Sequence, residues 1–504
     1  MKTLPGKAIS FWLDSTAKTS FPKMEQVTVD VAIVGAGITG ITAAYLLKKA
    51  GKTVALIEAQ QIAASASGHT TAKVTSLHQI IYQDLIDRHG EEKARLYGES
   101  NQAGVEFVAA TVKQQEINCD FKRNDTYSFA ESKDNLDKIQ QEYDAAIKLG
   151  LPAEFVTKTT LPFDIAGALK FTNQGEFHPR KYLLHLANTI PGDGSYVFQN
   201  SRVQSVEEGT PCKVTANNTT LQATDVLLTT HLPIMDQGLF FAKTYPQRSY
   251  IIGAKIDRDK APQGMYIGVG KNCHSIRTTP TEDGNLLLLI GGGGHKVGSK
   301  TNTEESYAEL ERYAHSHFGI DKIDYHWSSQ DYESFDKLPY IGKLTPADNH
   351  IYVATGYNLW GMSKGTMAGM LLSDLILGNS NPWADLYDSL RATPFVTQES
   401  IKNNLDVGMH WVGDRLKGLQ NWSGDDVEPG FGKIITLKGE KVGVYKDETG
   451  KVTAVNATCP HLACIVKWNS AEKSWDCPCH GGRFTCDGKV IQGPAVKDLE
   501  LKAI

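Results

Sequence analysis

The 504-residue sequence predicts an α/β chain carrying a small all-β module at its C-terminal end. Three features predict it. A strand–turn–helix–strand unit with glycines in its turn occupies Val27 to Glu58. Helical and strand-like patterns then alternate through the middle of the chain. From Lys433 onward short strands and tight turns take over, such as Asp447-Glu448-Thr449-Gly450 and Cys486-Asp487-Gly488-Lys489.

Composition bounds the function classes. Apolar residues make up 41% and charged residues 22%, which is a folded soluble protein and excludes disordered, collagenous and coiled-coil chains. At about 150 residues per domain the length suggests about three units. The charge sum of 52 − 57 = −5 gives no basis for a nucleic-acid partner. No apolar run approaches the roughly 18 residues of a membrane span, the best being Leu286 to Ile290. The start, Met1-Lys2-Thr3-Leu4-Pro5-Gly6-Lys7, lacks a signal peptide's apolar run, so a cytoplasmic protein without an integral membrane segment is expected.

Taken in order, Val29 to Val34 is an apolar, β-branched run that reads as a buried parallel strand. Gly35-Ala36-Gly37-Ile38-Thr39-Gly40 follows, then a helical run ending at Gly51, then a second strand, Thr53 to Ile57. Helices are expected near 84–116 and 133–149, and strands over Tyr196 to Val206, Asp225 to Thr230, Ser249 to Ile256 and Leu286 to Ile290. Thr303 opens a helix that runs to about Phe318. Ile351 to Ala354 is a buried strand, followed by a helix from Gly361 to Leu377. Residues 395–418 read as an amphipathic helix, and the polar Asn421 to Gly432 as a linker.

The first glycine turn has a physical purpose. Gly35 permits the turn, Gly37 lets a pyrophosphate approach the backbone, and Gly40 allows close helix–strand packing. The helix N-terminus offers N–H groups and partial positive charge to phosphates. Glu58, 18 residues after Gly40, is placed to accept hydrogen bonds from ribose hydroxyls. A second glycine run, Gly291 to Gly294, lacks a helix at its end and reads as a strand end packed close to another backbone. One dinucleotide site is therefore expected.

Residues 28–380 resemble the D-amino-acid-oxidase-type family of FAD enzymes, which includes glycine and sarcosine oxidases and amino-acid dehydrogenases. The resemblance rests on Val31 to Glu58, on Ser65-Ala66-Ser67-Gly68-His69-Thr70-Thr71-Ala72, on Phe335 to Gly342, and on Tyr352 to Gly361. It implies a Rossmann-like FAD domain interleaved with an antiparallel-sheet substrate domain, together spanning 1–394. The FAD-binding parts would be about 28–80, 190–240 and 330–380, and the substrate parts about 81–189 and 241–329. The expected FAD contacts are Gly35, Gly37, Ile38, Thr39, Gly40, Glu58, Gly68, His69, Thr70, Gly356, Gly361 and Met362. A helix starting near Gly361 can aim its N-terminus at the flavin's pyrimidine edge.

Five of the eight cysteines fall within the 28 residues from Cys459 to Cys486. Cys459-Pro460-His461, a gap of fifteen residues, then Cys477-Pro478-Cys479-His480 has the ligand order of a Rieske [2Fe–2S] centre. Cys459, His461, Cys477 and His480 are the candidate ligands, in a domain spanning 431–504 after a 395–430 connector. Replacing two thiolates by neutral imidazoles raises such a cluster to roughly −150 to +300 mV. Zinc is the competing occupant, although zinc ribbons favour CxxC over CxH. Cys464 and Cys479 resemble the pair that forms a disulfide in electron-transfer Rieske proteins, and Gly493-Pro494-Ala495 resembles the loop that covers their cluster.

Other candidates have two readings each. His69 is either flavin-linked, as in some family dehydrogenases, or a hydrogen-bonding loop histidine. Arg277 either pairs with a substrate carboxylate or is structural. Tyr250, Lys337, Tyr357 and Trp360 either line the cavity or pack the core. His178 caps a helix, and His231 reads as a core histidine. A flavin takes a hydride and a Rieske cluster a single electron, so the fusion suggests a converter. The leading expectation is a dehydrogenase of a small amine or amino acid that passes electrons through the cluster to an unidentified acceptor. The alternatives are a reductase or hydroxylase fed through the cluster, and a non-catalytic electron-transfer protein.

Overall fold

The strand Thr28–Val34 lies at the centre of an eight-stranded sheet, because its Val31, Ala32 and Ile33 are fully buried between layers. It pairs in parallel with Val54–Ile57 on one side and with Thr219–Leu228 on the other. Tyr196–Phe198 and Ile351–Thr355 extend the parallel core, and Tyr340–Lys343 closes one edge antiparallel. A computed structural model of the chain describes residues 4–271, 273–300, 302–391, 404 and 427–503. The helix Ile38–Lys49 covers one face of this sheet and packs along the helix Gly361–Leu377.

The second sheet has nine strands, drawn from 73–176 and from 244–334. The chain therefore crosses repeatedly between the two sheets, as an interleaved pair of domains must. The second sheet is mixed rather than strictly antiparallel: Met265–Gly268 runs parallel to Lys122–Ala130, while its other pairings are antiparallel. Its long members, Thr244–Ile256 and Leu286–Lys296, form the wall between the sheet and the central cavity. The second glycine run lies inside Leu286–Lys296 and opens no helix.

Two expected elements are divided. The helix near 84–116 is two helices, Tyr82–His89 and Glu91–Gln114, because Gly90 between them adopts φ +85°. The strand over 196–206 is likewise two, Tyr196–Phe198 and Val203–Glu207, separated by a turn at Asn200 with φ +51°. The C-terminal module consists of a three-stranded antiparallel sheet (Phe431–Leu437, Glu440–Lys446, Val452–Asn456) and a four-stranded one. The latter comprises Lys467–Asn469, Ser474–Asp476, Arg483–Phe484 and Val490–Gln492. Trp475 is fully buried in its core. The amphipathic helix expected at 395–418 and the first half of the linker expected over 421–432 lie outside the described residues.

Candidate functional site

A cavity of about 540 Å³ lies where the two sheets and the C-terminal module meet. Gly35, Gly37, Ile38 and Thr39 form one end of it, at the start of the helix Ile38–Lys49. A Cβ on Gly40 would collide with the Gly35 carbonyl oxygen, so only glycine lets the helix begin this close to the strand. Glu58 stands at the end of the next strand and accepts from the backbone N–H of Ala36 and of Gln60, both at 3.0 Å. Burial raises its carboxyl above the usual range, while those N–H donors and the Arg202 guanidinium oppose the rise.

At the other end Tyr357, Leu359, Trp360, Gly361 and Met362 line the cavity, so the first turn of the helix Gly361–Leu377 faces into it. The Tyr357 hydroxyl shares a 2.8 Å hydrogen bond with Thr39 Oγ1, tying the two helix N-termini together. Thr70 also lines the cavity. These groups fit FAD: a glycine-turn cradle and an acidic residue at one end, and a second helix N-terminus at the other.

Several expected site residues lie off this cavity. Arg277 is 1% exposed and donates to the backbone oxygens of Thr71 and Ala72 at 3.1 and 2.6 Å, so its guanidinium is occupied in the core. Tyr250 is buried behind His295, whose Nε2 lies 2.9 Å from its hydroxyl. His69 has its Nδ1 2.9 Å from the Ser65 carbonyl. Gly40, Gly68 and Gly356 do not line the cavity. Lys337 pairs with Glu333 at 3.3 Å, and His178 caps the helix Pro179–Asn188 by accepting from Lys181 N.

Cavity residues outside the sequence expectation include Lys73 and His231. Lys73 lines the cavity with its Nζ 2.5 Å from the Tyr266 carbonyl and 2.6 Å from Ser275 Oγ. Burial, aided by the Arg277 charge, brings its ammonium down to about 7. His231, read as a core histidine, also lines the cavity, with its Nε2 2.7 Å from Asp331 Oδ1. No local pattern marks either one.

In the C-terminal module the four candidate ligands converge. The Cys459 and Cys477 thiols are hydrogen-bonded partners, which lowers the Cys477 thiol and raises that of Cys459. The His461 and His480 rings stand 5.0 Å apart. Burial lowers His480 to about 3, which favours its neutral form. Nδ1 of His461 is buried with no hydrogen-bond partner among the described residues. A buried imidazole nitrogen left unpaired is what a metal-binding position requires. Cys464 and Cys479 form a disulfide, which ties together the two loops that carry these residues. The sulfurs of Cys464, Cys477 and Cys479 lie within 4.8 Å of one another. Two thiols and two imidazoles held this way fit a Rieske cluster. Cys486 is separate: its thiol donates to the Lys473 carbonyl at 3.0 Å.

The module sits directly on the rest of the chain. Tyr332 donates its hydroxyl to the His480 carbonyl at 2.8 Å, and Gln330 Nε2 donates to the Gly481 carbonyl at 2.8 Å. Gly481 has φ +72°, and a Cβ there would fall 2.8 Å from Pro246 Cβ. Arg248, 1% exposed, reaches Asp476 at 3.1 Å, and Arg483 holds Asp476 and Glu472 from the module's side. Ile491, Gln492, Gly493 and Val496 of the module line the FAD cavity itself.

Fold and sites together define a flavin-dependent oxidoreductase with a built-in Rieske iron–sulfur module. The chain belongs to the FAD dependent oxidoreductase family, which matches residues 30–375, and its residues 422–502 match the Rieske [2Fe-2S] domain. It is 36% identical over 496 residues to YhfW of Bacillus subtilis (strain 168), which is named as a Rieske 2Fe-2S iron-sulfur protein, with 97% of each chain covered. It is 23% identical to gamma-glutamylputrescine oxidoreductase of Escherichia coli (strain K12), covering 74% of this chain and 88% of that one. The glycine oxidase structure from Geobacillus kaustophilus superimposes with a TM-score of 0.61 at 18% identity, covering 73% of this chain and all of that one. The cofactors are FAD and a Rieske-type [2Fe-2S] cluster. Among the described residues no helix is long and apolar enough to cross a membrane.

Proposed function

We propose that the protein is a dehydrogenase that oxidises a small amine or amino acid at a C–N bond and delivers the electrons through its cluster to an external acceptor. In this reading Gly35, Gly37, Thr39, Glu58 and Met362 hold FAD, and Cys459, His461, Cys477 and His480 hold the cluster. When bound, FAD supplies two-electron hydride chemistry and the cluster supplies one-electron chemistry.

One observation carries the proposal: the two sites share a wall. The Tyr332 hydroxyl is bonded to the His480 carbonyl, and its ring stands 4.8 Å from the ring of His231, which lines the cavity. Gln492 closes the same wall, with Nε2 3.0 Å from His231 Nδ1. An oxidase that hands electrons to oxygen has no use for such an arrangement. The relative named for gamma-glutamylputrescine supports an amine substrate.

An anaerobic titration with a panel of amines and amino acids tests this reading, following flavin absorbance and low-temperature EPR of the cluster together. The expected result is one compound that bleaches the flavin, after which the reduced-cluster signal rises. A flavin that only dithionite reduces, whatever the compound, would sink the proposal.

A further inference from the structure

His461 lies in the loop that joins Cys459 to Cys464, yet its hydrogen-bond partner comes from far away in the chain. Its Nε2 stands 2.8 Å from Oδ1 of Asp236. Asp236 lies in the segment between the strand Thr219–Leu228 and the short helix Phe240–Lys243, within the part that matches the FAD family. The His461 side chain is 6% exposed and that of Asp236 is 42% exposed, so the carboxylate reaches inward from a wet edge to the histidine. Around His480 the same face supplies the Phe241 ring at 5.1 Å and the Tyr332 hydroxyl on its carbonyl.

A neutral imidazole carries one proton. With that proton on Nε2 and donated to a carboxylate, Nδ1 presents its lone pair. In His461 that is the nitrogen left buried and without a partner among the described residues. A carboxylate on the far nitrogen fixes the ring's tautomer and orientation and makes the imidazole a stronger donor.

We propose that Asp236 is a positioning residue for the cluster: its carboxylate fixes the His461 ring and lowers the reduction potential of the centre. The inference rests on the ligand assignment above and is independent of the substrate. The direction follows from charge. Reduction adds an electron to the site, and a nearby anion disfavours the added negative charge. The module is thus tuned by the domain it sits on, and its potential becomes a property of the docked chain.

The test uses the full-length protein with its cluster in place, poised against dithionite with mediators and followed by low-temperature EPR. Asp236→Asn keeps the shape and a hydrogen-bond acceptor but removes the charge. At fixed potential its ratio of reduced to oxidised cluster should rise about tenfold, equal to about 59 mV for one electron, with shifted g-values. Asp236→Glu, which restores a carboxylate, should return the ratio most of the way. A ratio in Asp236→Asn within about twofold of wild type, at equal iron content, would overturn the proposal, as would Asp236→Glu behaving like Asp236→Asn. A wild-type chain with no Rieske-type signal would overturn the ligand assignment and the proposal with it, so the two failures are told apart by the wild-type spectrum.

Discussion

Lys364 lies fully buried near the start of the helix Gly361–Leu377, and its Nζ has no hydrogen-bond partner among the described residues. The Tyr97 ring is 5.4 Å away. Burial lowers its ammonium to about 7, with Asp331 and Glu333 opposing and Lys337 reinforcing that fall. The unfolded chain holds this proton up to about pH 10.4, so between about 7 and 10.4 the unfolded state binds more protons and stability rises with pH. Lys364→Met removes the dependence. The variant should be more stable than wild type below pH 7, and its advantage should shrink by up to about 1.4 kcal/mol per pH unit above that. Denaturant melts at pH 6 and pH 9 measure the difference. Glu58 gives a second expectation at this scale. Hydrogen bonds to a charged group are worth about 1.5–3 kcal/mol, so Glu58→Gln should weaken FAD binding by roughly 10- to 100-fold in fluorescence titrations of the apoprotein.

At the scale of elements, the strand-turn-helix from Thr28 to Lys49 was legible because its glycines, apolar run and distal acid are close in sequence. The ligand loops were legible for the same reason. What could not be read is what those elements meet: Asp236 and His461 are 225 positions apart, and Tyr332 and His480 are 148 apart. Arg277 shows the converse. A lone arginine in a strand looks available for a substrate, and only the fold shows its donors spent on the carbonyls of the Thr71-Ala72 turn. Gly481 belongs to the unread class. Its glycine looks like part of a loop motif, but its φ of +72° and its contact with Pro246 and Gln330 make it the point where the cluster loop touches the substrate sheet. Gly481→Ala must displace Gln330 or Pro246. Hydrogen exchange should then quicken in residues 477–484 and 330–332, while the strands around Thr28–Val34 stay protected.

At the scale of the whole molecule, the C-terminal module serves as one wall of the dinucleotide cavity. Gln60 Nε2 donates to the Ile491 carbonyl at 3.1 Å and Arg202 to the Val490 carbonyl at 3.0 Å, so one strand of the module seals the side where Glu58 stands. The polar anchor of this docking is Arg248, which also donates to Ser328 Oγ at 3.0 Å and to Gln330 Oε1 at 2.8 Å. On the module's side Asp476 is held by Arg483 and by Asn469, and Glu472 accepts from the Tyr307 hydroxyl at 2.6 Å. Removing one member of a buried charge network leaves its partner uncompensated, at a cost of about 3–5 kcal/mol. In Arg248→Ala Asp476 keeps Arg483 and Asn469, so the cost falls below that range, and loss of the anchor lets the module move away from the cavity. FAD should then leave faster during repeated gel filtration, and hydrogen exchange should rise together at residues 490–496 and 57–60. The parallel sheet itself should melt as in wild type, because none of its strands contributes to the network. If Arg248→Ala keeps its FAD and its protection at 490–496, the module is held by its apolar and backbone contacts alone, and the cavity does not depend on the ion pairs for closure.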